Sequence, residues 1–179
     1  MKQNPDITVD ELIKKLSDGM GVEIFTDGGD QAYYSPSQDK IHLPTPESFH
    51  NEYAFNSTAL HELSHSTGHP SRLNRPQSAF FGTDQYAYEE LVAEMCSCFM
   101  GSELKMEATK EHIDNHKAYV QSWIGAIREK PETLIKAIKD AQAAANYMDY
   151  KAGLITEKEY EKACGSVMEV KVKSREKER

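Results

Sequence analysis

Three side chains within five residues, His61, Glu62 and His65, have the types and spacing for metal-assisted hydrolysis. They sit in His61-Glu62-Leu63-Ser64-His65, an H-E-x-x-H sequence. On a helix, residues four apart lie on one face, so His61 and His65 can offer two imidazoles to one Zn²⁺. Glu62 then lies beside the metal as a general base, able to take a proton from a water whose acidity zinc raises. A surface helix with two solvated histidines would show the same letters. What argues against it is that the surrounding sequence supplies the other parts of such a site.

Two histidines alone hold zinc poorly, and a catalytic site usually has three protein ligands and one open position. The sequence that follows offers Glu89, Glu90 and Glu94. Glu90 and Glu94 are four apart, a spacing at which like charges repel on a bare helix. A metal on Glu90 and a histidine N–H on Glu94 would turn that repulsion into attraction. Glu90-Leu91-Val92-Ala93-Glu94 is similar to the E-x-x-A-[DE] stretch that supplies these two acids in gluzincin-type peptidases. Glu90 is therefore placed first as third ligand and Glu89 next, with Glu94 orienting His61 or His65. His69 competes, because H-E-x-x-H-x-x-G with Gly68 matches the start of the metzincin pattern. The histidine which that pattern requires three residues after the glycine is Ser71 here. Hydrolysis also needs a donor for the developing oxyanion. His69, Arg72, Tyr86 and Tyr88 are the candidates, and the sequence does not rank them. His42, His50, His112 and His116 are isolated and read as surface or packing residues.

The elements that must position these groups can be traced by period and punctuation. Thr8-Val9-Asp10-Glu11 is a capping box opening a short amphipathic helix through Leu12, Ile13 and Leu16, which ends near Gly19 and Gly21. Residues 22–25, 32–34 and 40–43 read as three short strands separated by Asp27-Gly28-Gly29-Asp30 and Ser35-Pro36-Ser37 turns, which predicts a small, mostly antiparallel sheet. The motif helix spans about 52–67, with Phe55, Ala59, Leu60 and Leu63 on its core face. A loop follows, then a helix over about 84–103 with an apolar stripe of Tyr88, Leu91, Val92, Met95, Cys96 and Phe99. Further helices are expected over about 108–129 and from Pro131 to about 150. Thr156 caps a short last one. The expected fold is α+β, a small, mostly antiparallel sheet packed on the H-E-x-x-H helix and followed by a helical C-terminal half. Residues 1–152 form the domain, and 153–179 add a capped helix and a basic, disordered tail.

Composition bounds the function. With 179 residues, 39% hydrophobic and 28% charged, and a mean hydropathy of −0.67, the sequence is that of a globular domain with a real core. A net charge of −8 argues against broad binding to a phosphate backbone, so nucleic-acid binding is expected to be weak or absent. The charge is uneven, since residues 171–179 carry a local +3 that leaves −11 on residues 1–170. Cys96, Cys98 and Cys164 are odd in number, and the first two lie in an apolar helical stretch. A reducing, cytoplasmic setting fits better than a disulfide framework. No apolar run reaches the roughly 18 residues of a membrane span.

Five blocks of sequence together are quite specific. They are Asp39-Lys40-Ile41-His42-Leu43-Pro44, Ser48-Phe49-His50-Asn51-Glu52-Tyr53, His61-Glu62-Leu63-Ser64-His65, Gly68-His69-Pro70-Ser71-Arg72-Leu73-Asn74-Arg75, and Tyr88-Glu89-Glu90-Leu91-Val92-Ala93-Glu94. With them, the segment from Ala32 to about Tyr150 resembles the zincin-like metallopeptidase domain of ArdC-type antirestriction proteins and phage or plasmid polyvalent proteins. The resemblance implies a zinc-dependent peptidase-like fold carried by mobile genetic elements, acting on a protein or peptide substrate. ArdC-type members also carry an N-terminal single-stranded-DNA-binding domain, and the catalytic block here begins too near residue 1 for this sequence to hold one. A different class of function stays open: a zinc-stabilised module that masks a host protein or DNA without hydrolysis.

Overall fold

The computed structural model describes residues 7–26, 28–77, 83–103 and 131–165. The expected helix over 108–129 and the basic tail lie outside the described residues. Helix α1 (Val9–Met20) opens on the Thr8–Glu11 capping box and closes at Gly21, whose φ of 67° is the left-handed conformation favouring glycine at a helix end. Strands β1 (Glu23–Thr26), β2 (Tyr33–Ser35) and β3 (Lys40–Leu43) follow, then one 3₁₀ turn (Pro46–Ser48). Helix α2 (Glu52–Ser66) is capped by the Asn51 side chain and carries the H-E-x-x-H residues. Among the described residues, helices α3 (Asp84–Glu103) and α4 (Pro131–Lys151) follow, and residues 157–165 form a further helix behind a Thr156–Glu159 capping box.

The fold is α+β, and the sheet departs from the expected mostly antiparallel one. Its strand order is β1-β3-β2, with β2 antiparallel to β3 and β1 parallel to β3, so the sheet is mixed. The physical reason is connection length. Between β1 and β3 the chain makes an excursion that contains β2 itself, long enough for a parallel crossover. Only the short link from Ser35 to Lys40, with Asp39 at φ 53°, closes as a hairpin.

The alternation in β3 orients the layers. Ile41 and Leu43 are fully buried towards the helices. His42 lies on the opposite face, stacked between Phe25 and Tyr33 of the neighbouring strands. Helix α2 packs on β2 and β3 with one flank and against α3 with another, while α1 and α4 close the far side. Leu12, Leu16, Leu60, Leu63, Val92 and Met148 fill the shared core. Ala59, Leu60 and Leu63 are buried as their period requires. Phe55 is only partly buried at the core's edge.

Candidate metal centre

The C-terminal half of α2 faces the N-terminal half of α3, and the two helices bring their chemistry to one seam. The Nε2 atoms of His61 and His65 lie 3.1 Å apart, with the rings edge-to-face. The carboxylate of Glu90 spans the pair, one oxygen 3.6 Å from His61 Nε2 and the other 3.5 Å from His65 Nε2. Donor atoms of these three residues all lie within 4.8 Å of one another. Four-coordinate zinc with bonds of about 2.0–2.1 Å holds its ligand atoms roughly 3.3–3.4 Å apart. Two imidazoles and one carboxylate at these separations fit a divalent cation.

The outward nitrogen of each histidine meets its own acid. Glu94 Oε2 is 3.2 Å from His61 Nδ1, and Glu89 Oε1 is 3.4 Å from His65 Nδ1. Such acids fix ring orientation and leave the other nitrogen free for a metal. Burial opposes charge on His61, but the carboxylates of Glu90 and Glu94 outweigh it and push its pKa up to about 10. Burial also opposes ionisation of Glu89 and Glu90. Hydrogen bonds from His65 and Arg75 to Glu89, and from His61 to Glu90, win and hold both carboxyls below the usual range.

A cleft of about 310 Å³ opens over this seam, walled by His61, Glu62, His65 and Glu90 on one side and by Tyr33 and Tyr86 on another. Glu62 is 7% exposed and borders it. Of the four candidate oxyanion donors, Tyr86 alone borders the cleft, and its side chain hydrogen-bonds Glu90. Arg72 is instead a structural tie, donating to Ser66 O, Met20 O, Tyr34 Oη and Asp39. Tyr88 points to α4, bonded to Asp140 and Lys136. His69 Nδ1 is 2.7 Å from Ser71 Oγ and 3.9 Å from Asp39, and it is not among the clustered metal-ligand atoms.

Sequence reasoning set Glu89 apart by helical phase, as a substitute ligand. The structure uses it as the acid behind His65. A signal was present. Glu89 lies on the same face as Ala93, Cys96 and Met100, all 0% exposed, and an acid on a core face requires a cation. That cation is Arg75, whose guanidinium grips both Glu89 oxygens.

An H-E-x-x-H helix laid on a small sheet, with an acid from the next helix completing the ligand set, defines a zincin-like metallopeptidase domain. Residues 11–140 match the zincin-like metallopeptidase family of polyvalent proteins, and the chain belongs to that family. Among its relatives, the DNA primase TraC of Escherichia coli is 44% identical over 119 residues, covering 66% of this chain and 11% of TraC. The Mn(II)-bound crystal structure of the antirestriction protein ArdC from plasmid R388 superposes with a TM-score of 0.68 at 33% identity, over 87% of this chain and 57% of ArdC. The metal-free ArdC structure gives 0.64 at 34% identity, over 81% of this chain and 52% of ArdC. This chain therefore spans about half of ArdC and about a tenth of TraC. The Mn(II) in one relative and the fit of the donor set here together mark a divalent-metal site. No helix among the described residues is long and apolar enough to cross a membrane.

Proposed function

We propose that this domain is a zinc-dependent peptidase that hydrolyses peptide bonds in a protein substrate, with His61, His65 and Glu90 as metal ligands. The observation that carries the reading is Glu62, a nearly buried carboxylate on the wall of the cleft that His61, His65 and Glu90 also line. A metal held there would acidify water and polarise a substrate carbonyl. Glu62 accepts the proton of the attacking water and passes it to the leaving amine. Glu94 beside His61 Nδ1 and Glu89 beside His65 Nδ1 would favour the tautomers that leave Nε2 for a metal. Tyr86 is the candidate donor that borders the cleft, and to stabilise a developing oxyanion its O–H would have to turn from Glu90.

Glu62→Gln tests this reading, because the amide keeps the shape but cannot accept the proton. The variant is expected to bind metal as wild type does and to lose peptide hydrolysis by at least about 10²-fold, the scale of general-base catalysis. Wild-type hydrolysis by Glu62→Gln would remove the general-base role. The names of the relatives, antirestriction protein and DNA primase, favour a second reading, a metal-stabilised module that masks a protein or DNA without cleavage. On our reading single-stranded DNA binds weakly at physiological salt. Sub-micromolar binding, equal in wild type and Glu62→Gln, would favour the second reading.

A further inference from the structure

The histidine nearer the end of α2 is steadied from outside both ligand-bearing helices. The loop after α2 brings Arg75 back under the seam, where its side chain is 7% exposed. Nε donates to Glu89 Oε2 at 2.9 Å and Nη2 to Glu89 Oε1 at 2.6 Å, a two-pronged grip on the carboxylate. The same guanidinium reaches the last turn of α2, with Nη2 donating to Ser64 O at 3.0 Å and Nη1 to Thr67 Oγ1 at 2.7 Å. One planar group thus ties the end of the helix carrying His61 and His65 to the start of the helix carrying Glu89 and Glu90. Gln77 adds a strand to this tie, its amide nitrogen bonding His65 O and lying 3.5 Å from Glu89 Oε1. Gly68 makes room for it. A Cβ there would stand 2.6 Å from the Gln77 amide nitrogen and 3.2 Å from Arg75 Nη2.

The geometry points to Arg75 as a positioning residue of the metal centre, acting through Glu89 on His65. This rests on the metal site proposed above and says what fixes one of its ligands. Glu89 can orient the His65 ring only if its own carboxylate is fixed, and within reach of Glu89 it is Arg75 that matches both oxygens at once. Lysine keeps the charge but is a single point donor, so it cannot hold both oxygens and two acceptors on α2 in one plane. The arrangement also accounts for three sequence features that the H-E-x-x-H motif leaves unexplained: Gly68, Arg75 and an acid immediately before the third ligand. His61 is oriented separately, by Glu94.

The test is metal binding rather than hydrolysis. Co²⁺ affinity by chelator competition and the Co²⁺ d–d absorption spectrum are measured for wild type, Arg75→Lys, Glu89→Gln, Glu94→Gln and the doubles, with the melting temperature of each metal-free protein. Arg75→Lys and Glu89→Gln are each expected to weaken Co²⁺ binding by about 10–100-fold, with an altered spectrum. The Arg75→Lys/Glu89→Gln double is expected to be little worse than the weaker single, since both break one path. Arg75→Lys with Glu94→Gln is expected to multiply the two losses, because they act on different histidines. Gly68→Ala, which displaces the Gln77 amide and presses less closely on the guanidinium without removing either, is expected to shift affinity in the same direction. Wild-type affinity and spectrum in both Arg75→Lys and Gly68→Ala, with only a lower melting temperature, would reduce Arg75 to a structural tie and overturn the inference. So would multiplicative losses in the Arg75/Glu89 double. Absence of stoichiometric Co²⁺ binding in wild type would instead break the metal-site reading and take this inference with it.

Discussion

The two sides of α2 are built on opposite principles. Towards α1 and α4 it meets an apolar interior. Leu12, Leu16 and Met148 are fully buried, as are Ala137, Ala141, Ala144 and Ala145 along one stripe of α4, whose small side chains let the helices approach closely. Towards the first turns of α3 it meets a polar seam, in which Glu62 and Glu89 are buried and His61, His65, Glu90 and Glu94 partly so. The apolar side gains from burial in proportion to area and tolerates swaps that conserve volume. The polar side gains little from burial, because each group there must first be desolvated and then matched. It holds two imidazoles and three carboxylates within a few ångströms, an arrangement whose natural complement is a divalent cation. The apolar half supplies stability, and the seam spends some of it on geometry.

The strongest way to break this contrast is to remove a ligand. His61→Ala, His65→Ala or Glu90→Ala is expected to abolish stoichiometric zinc binding in elemental analysis while leaving a folded protein, since the apolar half is untouched. Glu89→Ala and Glu94→Ala are expected to bind more weakly by about 10–100-fold, and His69→Ala to bind as wild type. If His69→Ala proves the most damaging and Glu90→Ala binds normally, the seam is not the metal site. Next in size is the converse experiment. Leu16→Ala, on a side chain with 0% exposure, is expected to cost about 2–5 kcal/mol in denaturant unfolding. The fraction that remains folded should bind zinc with unchanged affinity. A matching loss of affinity would show that the core tunes the seam and that the two sides are not separable.

The apolar half was the more legible in sequence. Periodicity places Leu12, Leu16, Ala59, Leu60, Leu63, Leu91, Val92 and Cys96 inside because a stripe needs only residue type and spacing. The extent of α2, expected over about 52–67 and found over Glu52–Ser66, follows in the same local way. The seam was legible only where its parts share a helix. His61, Glu62 and His65 are visible as one motif, and Glu90 with Glu94 as one face. Glu89 stood only as the second choice of ligand, and neither its approach to His65 nor the tie from Arg75 was visible, because that tie runs between a loop and a helix fourteen residues on and depends on how α2 and α3 cross. The parallel pairing of β1 was hidden for a related reason. Turn residues announce where a chain bends, whereas the edge to which it returns depends on the space left by β2 and α2. Tyr88 and Arg72 illustrate the same limit, since residue type admits them to oxyanion chemistry and only packing directs them to Asp140 and Asp39.

The most discriminating test varies pH, because pH acts on the seam and not on the apolar half. In the metal-free protein burial opposes the charge on His61, but the carboxylates of Glu90 and Glu94 outweigh it and push its pKa from an ordinary 6.5 up to about 10. A raised value means that the charged ring contributes stability, fully present below about 6.5 and lost as pH climbs towards 10. Glu89 and Glu90 are shifted the other way, so their contribution is present above about 4.5 and lost as pH falls. A metal ion needs the neutral ring and must displace that proton, so its affinity falls by about tenfold for each pH unit of acidification while one proton is released. The two trends oppose each other. Raising the pH from about 6 to about 9 is therefore expected to lower the melting temperature of the metal-free protein and to enlarge the stabilisation given by saturating Zn²⁺. Leu16→Ala is expected to lower the melting temperature by a similar amount at both values, since Leu16 belongs to the buried hydrophobic cluster. Calorimetry of wild type and Leu16→Ala, with and without Zn²⁺, decides the matter. A metal-induced shift that is the same at both pH values would mean that no proton is exchanged at His61, and that the carboxylates around it do not act as the geometry requires.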